Sequence, residues 1–200
     1  MVSGAINKLV VKPTLVLLTL GLFLVSARAD SSLDLSPQLQ PFELEGIKMW
    51  QLTFSNGTSK KAIYQPPQGW KYSGGRDSLE LQPANMAQAR AVIAKLPPAM
   101  HLAFDEEGRK QLRDGAIASL PQGSQQAKIT SDELNPLQVD GKQTYLIEIS
   151  YLFFGQKFAC YSLVLDRKPE AMSFRLTSLE ADYGQLREAF QRSLFTWQNL

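Results

Sequence analysis

The sequence contains one cysteine, Cys160, and one histidine, His101. A single cysteine excludes an internal disulfide, so the fold must be held by its core even in an oxidising compartment. One histidine and one cysteine leave little for a zinc site, which draws on several such ligands, and little for a histidine-based triad. A Cys160–His101 dyad needs an exposed, activated thiol. Cys160 sits instead in a strongly apolar run and reads as a small buried hydrophobe. The sequence also lacks a Walker loop, a dinucleotide glycine fingerprint, HExxH, a nucleophile elbow and S-x-x-K. It has no internal repeats and no low-complexity tracts. No catalytic residue, metal or cofactor is expected.

There is no excess of charge of either sign. Taking Lys8, Lys12 and Arg28 out of the 21 basic residues leaves 18 against 19 acidic ones, a net charge near −1. Those three lie in a segment expected to be removed. Nucleic acid and anionic lipid both demand clustered Lys and Arg, and no such cluster is seen. The one long apolar run is N-terminal. Lys8 and Lys12 precede the uncharged stretch Thr14 to Val25, which is shorter than the roughly 20 residues that span a bilayer. Ala27-Arg28-Ala29 fits the small-x-small cleavage pattern, with Asp30 as the new first residue. Residues 1–29 are therefore expected to be a signal peptide. The protein is expected to be exported, periplasmic or secreted, with no transmembrane segment in the mature chain. No cysteine stands at the cleavage point to carry a lipid.

What is present is a globular composition. Apolar residues make up 44% of the chain, enough for a packed core. Asp30 to Pro41 is polar with two prolines and reads as a flexible leader, leaving 42–200 as a single domain. Glu45 to Phe54 reads as a strand with Trp50, Leu52 and Phe54 on one face. Asn56-Gly57 makes a turn into Lys61–Gln65, which is expected to pair back as a second strand. Asn56-Gly57-Thr58 is also a glycosylation sequon. Pro66 to Gly75 reads as a loop carrying Trp70 and Tyr72. Ser78 to Gln82 alternates as a strand. Ala84 to Leu96 fits either a helix or, from Ala89, a strand. Asp105 to Leu120 reads as a helix with acids in its first turn and a narrow apolar face of Leu112, Ala116 and Leu120. An extended stretch from Ala127 to Val139 meets a turn at Asp140-Gly141.

The strongest patterning lies between Lys142 and Trp197. Tyr145 to Phe154 and Phe158 to Leu165 are apolar on both faces, so they are expected to be interior strands covered on both sides. Gly155-Gln156 is the expected two-residue loop between them. Asp166 to Pro169 is a turn, and Met172 to Leu179 a third strand. A helix is expected from Asp182, with Gln185 completing a capping box. Its stripe is Tyr183, Leu186, Phe190, Leu194 and Trp197, and Arg187, Glu188, Gln191 and Arg192 are expected to face water. Many strands, few helices and a helix last give an α+β fold.

Gln65-Pro-Pro-Gln-Gly-Trp70, the paired strands across Gly155 and the closing Phe190-Gln-Arg-Ser-Leu-Phe-Thr-Trp197 together resemble PsbP-like and DcrB-like domains over roughly Phe42 to Trp197. The resemblance implies a strongly twisted antiparallel sheet flanked by helices on both faces, with the last helix packed on it. It favours the strand reading of Ala89 to Leu96. It also implies a non-enzymatic accessory role: PsbP proteins support the oxygen-evolving complex of photosystem II, DcrB-like proteins are exported envelope proteins, and a eukaryotic relative binds a small GTPase. The missing lipid-anchor cysteine departs from the DcrB pattern. The partner expected is another envelope protein, with Trp70 and Tyr72 as candidate contacts, although a tryptophan in a proline-stiffened loop also suits a plug over the sheet end. The alternative is an exported hydrolase using carboxylates. Its candidate groups are Glu43/Glu45, Asp105/Glu106/Glu107 and Asp132/Glu133, each of which also reads as solvated surface.

Overall fold

The computed structural model of the chain describes residues 32–55, 61–97, 103–166 and 170–200. Along these the order is β1 (Asp34–Leu44), β2 (Ile47–Ser55), β3 (Lys61–Tyr64), β4 (Lys71–Gly75), β5 (Ser78–Gln82), β6 (Arg90–Lys95), α1 (Glu106–Ala118), β7 (Gln125–Leu134), β8 (Thr144–Phe153), β9 (Gln156–Leu165), β10 (Met172–Leu179), α2 (Glu180–Leu194) and β11 (Gln198–Asn199). The strands form two sheets, β1-β2-β3-β11 and β4-β5-β6-β10-β9-β8-β7. Every pairing is antiparallel. The fold is α+β. No helix among the described residues is long and apolar enough to cross a membrane.

β8 and β9 lie inside the large sheet, as strands apolar on both faces must. On one face Tyr161, Leu163, Leu165, Phe174 and Leu176 pack with Leu186, Phe190 and Leu194 of α2 and with Leu52, Phe54 and Tyr64 of the small sheet. On the other, Tyr145, Ile147, Ile149 and Cys160 pack with Leu112 of α1. Trp197, just past α2, fills the junction. Its ring centroid lies 5.5 Å from Phe54, 5.8 Å from Tyr64 and 5.5 Å from Phe174.

Ala89 to Leu96 takes the strand form: β6 joins β5 to β10 at the middle of the large sheet. α1 begins at its expected place, with Asp105 Oδ1 accepting from the Gly108 N–H at 2.8 Å. Gly108 is there for space. A Cβ on it would stand 1.8 Å from the Ala103 carbonyl oxygen.

Four expectations are corrected. The leader expected over Asp30 to Pro41 is, from Asp34, the greater part of β1, anchored by buried Leu33 and Leu35. Its prolines fit because β1 is an edge strand, where outward N–H groups are dispensable. The loop expected over Pro66 to Gly75 ends in β4, paired residue by residue with β5. The hairpin loop is Phe154-Gly155, one residue earlier than expected. Both residues have positive φ, 47° and 74°, the primed turn that matches strand twist. The last helix starts at Glu180 rather than Asp182. β10 runs into it without a break, Leu179 is the N-cap, and no side chain caps it. The expected signal peptide with Ala27, Ala29 and Asp30, the Asn56-Gly57 turn and sequon, His101 and most of the Asp166 to Pro169 turn lie outside the described residues.

Candidate docking surface

β1 and β2 pair from Gln38↔Thr53 to Leu44↔Ile47, and the outer part of this pairing is a two-stranded ribbon. Its tip is the turn Glu45-Gly46, with φ of 50° and 81°. Alternation puts Phe42, Leu44, Ile47 and Met49 on one face, where Phe42 opposes Met49 and Leu44 opposes Ile47. Leu39, Pro41 and Trp50 share the other. Both faces are largely open: Leu44 is 57% exposed, Ile47 65% and Trp50 60%, while Phe42 is half-buried. Single exposed apolar residues are ordinary, whereas a contiguous set of this kind marks an interaction surface. The ribbon's charges are Glu43, Glu45 and Lys48, with Glu43 opposite Lys48 in register. Sequence reading placed Trp50 on a strand face but missed the surface, because it read Asp30 to Pro41 as a leader and started the strand at Glu45, leaving no partner strand before the turn. The available signal was the apolar alternation Phe42, Leu44 on one side of Glu45-Gly46 and Ile47, Met49 on the other.

Trp70 and Tyr72 separate in the structure. Trp70 is half-buried, stacked on Phe190 at 6.3 Å with an interplanar angle of 4°. Its N–H closes the turn to the Pro67 carbonyl at 3.2 Å. Tyr72 lies on β4, an edge strand of the large sheet, and is exposed. The two therefore do not form one aromatic platform.

Two half-buried polar networks brace the helices. On α2, Arg187 Nε lies 3.0 Å from Glu148 Oε1, and the Tyr183 hydroxyl donates to the same oxygen. Burial and that carboxylate push the Tyr183 phenol far above its ordinary range. Arg187 thus does not simply face water. Arg192 does, in an exposed pair with Glu188. On α1, Arg113 Nη1 donates to Asp132 Oδ2 at 2.9 Å, and the Tyr145 hydroxyl donates to it at 2.8 Å. These bonds, that from Tyr145 first, hold the Asp132 carboxyl below its usual range. Asp132 is thereby a fixed anion tying α1 to β7 and β8, an arrangement that secures packing rather than proton transfer.

The other carboxylates do not converge. Glu43 and Glu45 ride on the ribbon, Asp105 caps α1, Glu106 pairs with Arg109, and Glu133 accepts from Ser131. Asp77 and Glu170 do line one hollow, but Lys95 Nζ stands 3.1 Å from the first and 4.0 Å from the second. That lysine also donates to Ser32 Oγ at 2.8 Å, and Glu170 Oε2 accepts the Leu33 N–H at 3.2 Å. The cluster is a clasp on the entry to β1. Cys160 is fully buried, and Arg175 Nε donates to its sulfur at 3.1 Å.

No family model matches the chain, and no curated protein sequence matches it significantly. Solved structures do. PsbP of the cyanobacterium Synechocystis sp. PCC 6803 is 16% identical, over 80% of this chain and 91% of that one, with a TM-score of 0.46. PA94 of Pseudomonas aeruginosa, a protein of unknown function, is 15% identical over 80% and 95%, with a TM-score of 0.44. LpqN of Mycobacterium tuberculosis, a protein involved in cell envelope biogenesis, is 13% identical over 82% and 91%, with a TM-score of 0.45. The PsbP resemblance read in the sequence thus has a counterpart among these structures. At such identities a likeness concerns the course of the chain and brings no role with it.

Proposed function

We propose that this chain is an exported, non-enzymatic accessory module that docks another protein of the cell envelope through the β1–β2 ribbon. The observation that carries the reading is the apolar set Phe42, Leu44, Ile47 and Met49, held in register on the ribbon with Leu44, Ile47 and Met49 exposed. Export rests on the charge–apolar–Ala27-Arg28-Ala29 order and is tested by sequencing the mature N-terminus, expected at Asp30. The occupant is a protein cleft with a basic rim. A bilayer suits the ribbon poorly, because Glu43 and Glu45 would enter the membrane interface together with Leu44 and Ile47, and carboxylates resist that transfer. A strand added to the free edge of β1 suits it poorly too, since Pro37 and Pro41 bring no N–H to that edge.

The test is a double variant, Leu44→Ser with Ile47→Ser. Both side chains already stand in water, so urea stability should move by no more than about 0.5 kcal/mol per site. Crosslinked capture of one defined envelope partner should collapse. Unchanged capture of that partner overturns the reading. So does a concentration-dependent dimer that the variant abolishes, or vesicle co-sedimentation that it abolishes.

A further inference from the structure

α1 covers only part of its face of the large sheet. Leu112 and Ala116 lie over β8 and β9, while the same face of β10 and β6 stays open. Strand register sets one row straight across this face: Ile147, Ser162, Arg175, Val92. Within the row apolar Ile147 gives way to polar Ser162 and Arg175 at the rim of α1, and two hollows meet there. One, about 240 Å³, runs beneath α1 among Leu112, Ala116, Ile147 and Val164. The other, about 470 Å³, opens among Gln88, Arg90, Ser173 and Thr177. Ser119, Ser173 and Arg175 belong to both.

Arg175 gives this junction its chemistry. Nε donates to Cys160 Sγ at 3.1 Å, and Nη1 donates to Ser119 Oγ at 2.6 Å and to the Ser119 carbonyl at 3.3 Å. No carboxylate pairs with it among the described residues, and its Nη2 has no partner there. Arg90 across the hollow is already matched by Glu80. Among the described residues the larger hollow therefore carries one guanidinium without a carboxylate partner, beside the Ser173 and Thr177 hydroxyls. A guanidinium of this kind is the side chain best shaped to grip a carboxylate or phosphate. Closing the C-terminal end of α1 explains the Ser119 contacts. It does not explain the apolar crevice below, where Gly115 and Ala116 leave room that a larger residue would fill.

We propose that the joined hollows bind a small organic anion with an apolar tail, its head on Arg175 and its tail beneath α1. The site lies on a different face from the ribbon's contacts and stands or falls independently of the docking reading. The probes are octanoate, octanol and acetate, titrated into the purified protein with backbone amide shifts as the readout. Octanoate should shift resonances of residues 112–119, 162–164 and 173–177. Octanol, with no charge, and acetate, with no tail, should each bind at least about tenfold more weakly. Arg175→Gln should weaken octanoate by about tenfold while leaving octanol unchanged. Ala116→Leu fills the crevice and should weaken octanoate and octanol but spare acetate. Octanol binding as tightly as octanoate overturns the proposal, as do shifts confined to other regions. If Arg175→Gln fails to fold, Ala116→Leu decides alone, and undiminished octanoate binding by that variant also overturns it.

Discussion

Trp197 is enclosed by three aromatic rings from three strands, and Phe190 one helical stretch earlier is enclosed by Trp70 and Tyr161. Both are fully buried. Trp197→Ala and Phe190→Ala should each cost about 3–5 kcal/mol in urea unfolding, the usual range for a core aromatic. Arg192→Ala should stay within about 0.5 kcal/mol, because its partner Glu188 is as exposed as it is. Arg187→Ala should fall between. It strips a partner from Glu148, whose side chain is only 12% exposed, but Arg187 itself is 38% exposed and its contribution is screened, so about 1 kcal/mol is expected. Trp70→Ala should behave as a packing change, costing about 2–4 kcal/mol by loss of the stack on Phe190 and altering partner capture only through unfolding. A Trp70→Ala protein with unchanged urea midpoint and no capture would return Trp70 to the interface.

At the scale of the element, α2 is fastened by buried phenols as well as by its apolar stripe. The Tyr183 hydroxyl meets Glu148, and the Tyr64 hydroxyl meets Ser193 Oγ at 2.8 Å. Burial raises both phenols well above their usual value near 10, and it pushes Tyr161 up to about 12. The folded chain holds these protons where the unfolded chain releases them. Their contribution is therefore complete below about pH 10 and declines as pH rises further. Urea midpoints measured from about pH 8 to 11 should fall on the alkaline side, with tyrosinate absorbance appearing together with unfolding. Tyr183→Phe should make that decline shallower. A steeper decline in the variant would show that Tyr183 does not hold its proton in the fold. α2 was legible from its stripe at three- and four-residue steps. Its start was not, because a strand that runs directly into a helix leaves no polar cap to find. β1 was hidden for a related reason: prolines on an edge strand look like a linker when the pairing partner is unknown.

Across the whole molecule, the readable parts were those whose pattern is local. β8, β9 and β10 announce themselves by apolar alternation, and α1 by acids followed by Leu112. Of the second sheet only the β2–β3 hairpin was readable, and the pairings with β1 and β11 were not, since β1 looked like a linker and β11 joins from the far end of the chain. The polar networks were hidden likewise: Asp132 meets Arg113 only once α1 packs beside β7, and Arg175 meets Cys160 only across β10 and β9. The same long-range closure makes the N-terminal strand a structural part of the domain. The Leu35 N–H donates to the Arg76 carbonyl at 3.0 Å, so β1 crosses the β4–β5 hairpin. Gly74 permits that approach, because a Cβ there would sit 2.8 Å from the Ser78 carbonyl oxygen and 3.3 Å from that of Leu35. Lys95 and Glu170 clasp the strand's entry at Ser32 and Leu33. A chain beginning at Phe42 loses Leu33 and Leu35 together, both buried. Each is worth about 2–5 kcal/mol as a core leucine, and the sum rivals a whole-domain stability of about 5–15 kcal/mol. Such a chain should have no cooperative urea transition, or one at a much lower midpoint, and Leu35→Ala alone should cost about 2–5 kcal/mol. If residues 30–41 were a flexible leader, the shortened chain would unfold at the midpoint of a chain beginning at Asp30, and Leu35→Ala would change nothing.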